Sequence, residues 1–127
     1  MKTIGIIGSR RRDTEDDLNK TLIALQGIYE PGDELVSGGC PQGGDRFAEW
    51  IAREYQIPIK IYYAQWHRLG RSAGFQRNSL IARDADVLIA CVAPDRTGGT
   101  EDTIRKYLKT LGDTEVDAIE NRYLILI

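Results

Sequence analysis

KTIGIIG, residues Lys2 to Gly8, is a short run dominated by isoleucine that halts at a glycine. Successive side chains of a strand point to opposite sides, so a strand that is apolar at consecutive positions has no face to give to water. Such a strand belongs inside a parallel sheet covered on both faces. A second run of the same kind, DVLIACVA at Asp86 to Ala93, strengthens the reading. ELVSG (34–38), IPIKIYYA (57–64) and the terminal YLILI (123–127) supply three further strands.

Between these strands lie stretches with helical periodicity. TEDDLNKTLIALQGIY (14–29) repeats Leu18, Leu22 and Leu25 on one face, and Thr14 with Asp17 resembles a capping pair. DRFAEWIAREYQ (45–56) carries Phe47, Trp50, Ile51 and Tyr55 on one side. AGFQRNSLIARDA (73–85) and TEDTIRKYLKTL (100–111) complete the set, with PGD (31–33) a breaker and QWHRLGRS (65–72) a polar loop. Acidic GDTEVDAIENR (112–122) reads as a link to the last strand. The expected fold class is α/β: a doubly wound, mainly parallel sheet of five strands with helices on both faces, Rossmann-like, in a single domain over residues 1–127.

Seventeen Lys plus Arg stand against nineteen Asp plus Glu, a formal net charge of −2. That balance argues against a nucleic-acid partner, which needs a basic surface, and leaves anion binding to a local site. The opening MKTIGIIGSR has too short an apolar run for a signal peptide, and no segment approaches the roughly 18 apolar residues of a membrane span. The expectation is a cytoplasmic protein with no membrane association. Cys40 and Cys91, with the lone His67, are too few for a metal cluster and read as reduced thiols. No metal site and no cofactor motif is identified.

In a doubly wound sheet ligands collect at the carboxyl ends of the strands. Four loops there share an unusual make-up: GSR after the first strand, SGGCPQGGD after the second, QWHRLGRSAG after the third and APDRTGGT after the fourth. Glycine lets backbone approach a ligand, and a helix that starts beyond such a loop offers free N–H groups to an anion. The phosphate-binding candidates are therefore Gly8, Ser9 and Arg10, then Ser37, Gly38, Gly39, Gly43, Gly44 and Asp45, then Gly98, Gly99 and Thr100. Arg77 could grip a phosphate with its forked guanidinium, and Asn78 could hold a ribose hydroxyl or a loop carbonyl; a helix-surface pair is the competing reading.

Ordinary roles compete elsewhere too. Asp45, Glu101 and Asp102 fit helix-start acids, and Arg11 and Arg12 fit a solvated helix entrance. Trp66 suits either a stacking platform or a cap on the core, His67 a surface position, and Cys40 an incidental one. Neither a Walker loop nor the G-x-G-x-x-G dinucleotide spacing is present.

Together GSR, SGGCPQGGD, QWHRLGRSAGFQRN, ADVLIACV and GGT, in that order from Lys2 to about Leu111, resemble the SLOG superfamily. This Rossmann-like group joins the DNA-uptake protein DprA with the LOG phosphoribohydrolases, and the resemblance is to its small stand-alone branch related to YspA and YpsA. It implies glycine loops that bind a nucleotide or nucleotide-derived small molecule. LOG-type members cleave the N-glycosidic bond of nucleoside monophosphates with an arginine, matched by Arg77, and a glutamate in a PGGxGTxxE loop. Here that acid position falls on Thr103, and APDRTGGT lacks the PGG opening.

Three functions follow in order. The first is a nucleotide-binding or sensing domain. The second is a nucleotide-processing hydrolase using Arg77 with Asp45, Glu101 or Asp102. The third is a DprA-like single-strand DNA binder, disfavoured by the charge balance. The apolar helix faces are compatible with a homodimer.

Overall fold

A computed structural model describes residues 1–112 and 121–127. Its strands are β1 (Thr3–Gly8), β2 (Glu34–Gly38), β3 (Ile59–Tyr62), β4 (Val87–Cys91) and β5 (Tyr123–Leu126). The helices are α1 (Glu15–Gln26), α2 (Gly44–Tyr55), the short α3 (Trp66–Leu69), α4 (Ala73–Asp84) and α5 (Gly99–Gly112). The strands form one sheet in the order β3-β2-β1-β4-β5, and every neighbouring pair is parallel. The protein is an α/β fold of the doubly wound, Rossmann-like kind.

Alternation along β1 builds two cores from one strand. Ile4 and Ile6 face the layer that contains Leu25 of α1 and Ala48 and Ile51 of α2. Ile7 faces the opposite layer, where Ile81 of α4 and Ile104 and Tyr107 of α5 pack with Leu88 and Ala90 of β4. Each fully buried isoleucine or leucine in these layers contributes about 1.5–3 kcal/mol. Tyr107 is fully buried, and its hydroxyl donates to the carbonyls of Asp86 and Tyr123, joining α5 to the starts of β4 and β5. Burial pushes its phenol up to about 12.

The start of α1 is the capping pair expected from Thr14 and Asp17: the Asp17 N–H donates to Thr14 Oγ1 at 3.1 Å, and the Thr14 N–H donates back to Asp17 Oδ2 at 3.4 Å. Two expectations shift. β3 is shorter than 57–64 because Pro58 has no N–H for the ladder and gives only its carbonyl, to the Leu35 N–H at 2.8 Å. At the other end β2 stops at Gly38, which pairs with Tyr62 and leaves Tyr63 without a partner strand. The polar loop 65–72 folds into α3 and a 3-10 turn over Gly70–Ser72. A single turn needs no apolar stripe, so periodicity gives no sign of it. The acidic link falls mostly on residues 113–120, outside the described residues.

One contact sets the geometry at the carboxyl edge. A Cβ on Gly44 would lie 2.1 Å from the Ile7 carbonyl carbon and 2.2 Å from the Gly8 nitrogen, so the first turn of α2 rests directly on the β1 backbone. Gly43, at φ +74°, turns the chain into that contact.

Gly44→Ala should therefore cost at least about 2 kcal/mol, because backbone cannot yield as a side chain does. Gly74, within α4, has only the Trp66 ring edge at 3.4 Å from a built Cβ. Gly74→Ala should be neutral or stabilising by about 0.5–1 kcal/mol. Urea unfolding of the two variants beside the parent checks both signs.

Candidate functional site

From β1 the chain winds outward to β2 and β3 and then returns to β4 on the other side of β1. The βα loops part at such a reversal and leave a crevice outside the strand ends. A cleft of about 430 Å³ opens there. Gly8, Ser9 and Arg10 line one wall and Gly98, Gly99 and Thr100 another, with Asp45, Arg77 and Asn78 between them. Nine of the residues picked out by sequence thus meet at one place. Ser37, Gly38, Gly39, Gly43 and Gly44 are not on the cleft wall.

The glycine-rich loop between β2 and α2 turns its donors inward. The Cys40 N–H donates to Asp45 Oδ2 at 3.2 Å, and the Gly43 N–H donates to Asp13 Oδ1 at 2.7 Å. The anions cradled by this loop are carboxylates of the chain itself. Asp13 is held below the usual carboxylate range by the Gly43 N–H and then by Arg46, whose Nε is 2.7 Å away. The Gly43 bond ties the loop after β1 to the loop after β2, and Arg46 ties the same loop to α2.

Asp45 occupies the first turn of α2 but does not serve as its N-cap, a place taken by Gly43. Its side chain is buried against Ser37, whose Oγ lies 2.9 Å from Asp45 Oδ1 and 2.5 Å from the Ile6 carbonyl. One hydroxyl proton faces two acceptors. The arrangement needs no shared proton when Ser37 donates to Ile6 and a protonated Asp45 donates to Ser37. Burial accordingly raises the Asp45 pKa, and the bonds from Ser37, Cys40 and Gly38 with the nearby Arg77 charge oppose the rise only in part.

Arg77 is half-buried, and its Nε donates to Asn78 Oδ1 at 2.9 Å. Among the described residues its terminal nitrogens have no hydrogen-bond partner. A Cβ on Gly38 would fall 2.5 Å from Arg77 Nη1 and 2.7 Å from Asp45 Oδ2, so the bare glycine makes room for both groups. Arg10 is exposed and likewise has no hydrogen-bond or ion-pair partner among the described residues. Ser9 is less available: its N–H donates to the Cys91 carbonyl and its Oγ accepts from the Arg11 N–H.

Asn78 takes the loop-carbonyl role. Its Nδ2 donates to the Gly99 carbonyl at 3.3 Å and to Asp102 Oδ2 at 3.2 Å. Asp102 also accepts from Arg105 and Lys106, both at 2.8 Å. Burial would raise its pKa, but the bonds from Lys106 and Asn78 outweigh that and lower it. Glu101 is engaged by Arg96 at 2.9 Å. Neither acid lines the cleft, whereas Thr103 does, with its hydroxyl donated to the Gly99 carbonyl at 3.3 Å.

Arg11 and Arg12 are anchored rather than freely solvated. Arg12 donates to Asp17 and to the Val92 and Ile127 carbonyls. Arg11 reaches across the cleft mouth to Asp95 and Thr97. Residue-type spacing missed this bridge because its ends lie 84 positions apart in sequence. The signal available was a polar PDRT immediately after a strand at the carboxyl edge. Cys40, set aside as incidental, lines the cleft. Trp66 is 56% exposed and His67 is exposed, and neither is on the wall.

Among the described residues no cluster of His, Cys, Asp and Glu could hold a metal ion, and no helix is long and apolar enough to cross a membrane. No family model, curated protein or solved structure matches the chain.

Carboxyl-carbon NMR titration should place Asp45 above 3.8 and Asp13 and Asp102 below it. The consequences for stability have opposite signs. Asp102 favours the fold above its unfolded pKa, and that contribution is lost as pH falls through its lower folded value. Asp45 holds its proton more tightly in the fold, so its contribution declines as pH rises from the ordinary carboxylate value through its raised one. Asp102→Asn should flatten the acid limb of the stability profile measured by urea unfolding between pH 7 and pH 3.

Proposed function

We propose that the chain binds a nucleotide or nucleotide-derived anion in the cleft between the ends of β1 and β4, as the resemblance to the SLOG superfamily suggests. The observation that carries the reading is two guanidinium groups, Arg10 and Arg77, with unengaged donors on the same small cleft as the N-terminus of α5. The first-turn N–H groups of a helix lack intrahelical acceptors and favour an anion, and a planar guanidinium fits a phosphate in two-pronged fashion. The cleft size suits a single small ligand. Free Cys40 and Cys91 accord with a reducing, cytoplasmic setting.

A second reading, nucleotide hydrolysis, is favoured by one observation. Asp45 is a buried carboxyl of raised pKa that lines the cleft beside Arg77. Such a group can protonate a leaving group, as a general acid must. Asp45 supports this reading better than Glu101 or Asp102, because both of those engage cations away from the cleft wall.

Thermal shift against millimolar nucleoside mono- and diphosphates, cyclic nucleotides and ADP-ribose should reveal a stabilising ligand. Arg77→Met should weaken its binding about tenfold, as loss of a charge-assisted hydrogen-bonding group does. A panel that leaves the melting temperature unmoved contradicts the binding reading. Release of free base from monophosphates by the parent, lost in Asp45→Asn, would establish hydrolysis.

A further inference from the structure

The cleft mouth is bridged by a pair of exposed side chains that are opposite in charge and come from facing loops. Arg11, in the loop after β1, places Nη1 3.0 Å from Asp95 Oδ2 and Nη2 3.1 Å from Thr97 Oγ1, while Nη2 also donates to Asp95 Oδ1. Asp95 and Thr97 belong to the loop after β4, and Thr97 Oγ1 donates to Asp95 Oδ1 at 2.8 Å. All three residues line the cleft. The two side chains of the ion pair are about half exposed, 53% for Arg11 and 54% for Asp95, so their association is a surface ion pair of small net strength.

A carboxylate and a phosphate present the same geometry to a guanidinium, two oxygens for two N–H donors. Asp95 therefore occupies on Arg11 the position that an anionic ligand in this cleft would seek. We propose that the Arg11–Asp95 bridge is an anion-competed strap. The ligand's phosphate takes over the guanidinium fork of Arg11, Asp95 is displaced toward solvent, and the loop after β4 is released from the loop after β1. This rests on the reading that the cleft takes an anionic ligand, and adds to it how entry is controlled. Hydrogen bonds from Arg11 and Thr97 hold the Asp95 carboxyl down at about 2, so the strap stays charged at any neutral pH. A competing anion, and not a proton, opens it.

The strap differs from plain electrostatics in needing both partners. Calorimetry with AMP, GMP, CMP, UMP, ADP-ribose and inorganic phosphate identifies the probe that the parent binds most tightly. With that probe Asp95→Asn should raise affinity roughly two- to fivefold, the factor to which the strength of an exposed ion pair converts. In an Arg11→Met background the same substitution should give less than half that gain in binding free energy, because the competition has been removed. Both positions are exposed, and melting curves without ligand verify that each variant is folded. Unchanged or weaker binding in Asp95→Asn, or an equal gain in both backgrounds, overturns the strap while leaving the ligand reading intact. Absence of binding by the parent and every variant overturns both.

Discussion

The carboxyl edge of this sheet depends on the seating of helix α2 on strand β1. Gly44 sits so close to Ile7 and Gly8 that any side chain there would penetrate the β1 backbone. The first turn of α2 is thereby fixed, and with it the neighbouring Asp45. The loop leading into the helix must fold tightly over the end of β2. Its N–H groups then meet Asp45 and Asp13 rather than water. A buried carboxyl group left without such donors would cost about 1–3 kcal/mol, so the loop and Asp45 stabilise each other.

Charge is distributed around the cleft by the same economy of partners. Asp13 engages Arg46, Asp17 engages Arg12, and Asp102 engages Arg105 and Lys106. The first two pairs bind loops to helices, the Asp102 pairs lie within α5, and together they leave the cleft with few unpartnered charges. Arg10 and Arg77 keep donors unengaged there, and Asp45 keeps a raised pKa despite the Arg77 charge. Arg11 stands between the two groups, on the wall but paired across the mouth. An anion entering this space would meet the unengaged donors of Arg10 and Arg77 and, on Arg11, a competing carboxylate.

Much of this was legible from residue pattern. The apolar runs of β1 and β4 demanded two covered faces, and alternation through Ile4, Ile6 and Ile7 supplied a side chain to each. Leu25 and Ile51 fell on buried helix stripes as their spacing required. Thr14 and Asp17 formed the expected cap because that motif is local, three residues apart. The short helix at Trp66–Leu69 escaped notice because one turn has no periodicity to detect. Among the site candidates, Gly8, Arg10, Arg77 and Thr100 met at the cleft because the βα loops of a parallel sheet, and the helix starts that follow them, gather on one edge. Gly39, Gly43 and Gly44 looked alike in sequence but answer to the protein's own atoms, since Tyr63, Ser9 and Ile7 occupy the space beside them.

Sequence by itself determined the element order, the buried faces and the edge on which the loops gather, because these follow from side-chain period and from short-range capping. Tertiary structure alone decided which charged groups are engaged and which are available. Asp45, in the first helical turn as expected, is also a buried carboxyl, and Arg11 turned from a solvated cation into half of a bridge to Asp95. The physical reason is that a charge's state depends on the atoms within a few ångströms of it. In this fold those atoms come from loops that lie dozens of residues apart along the chain.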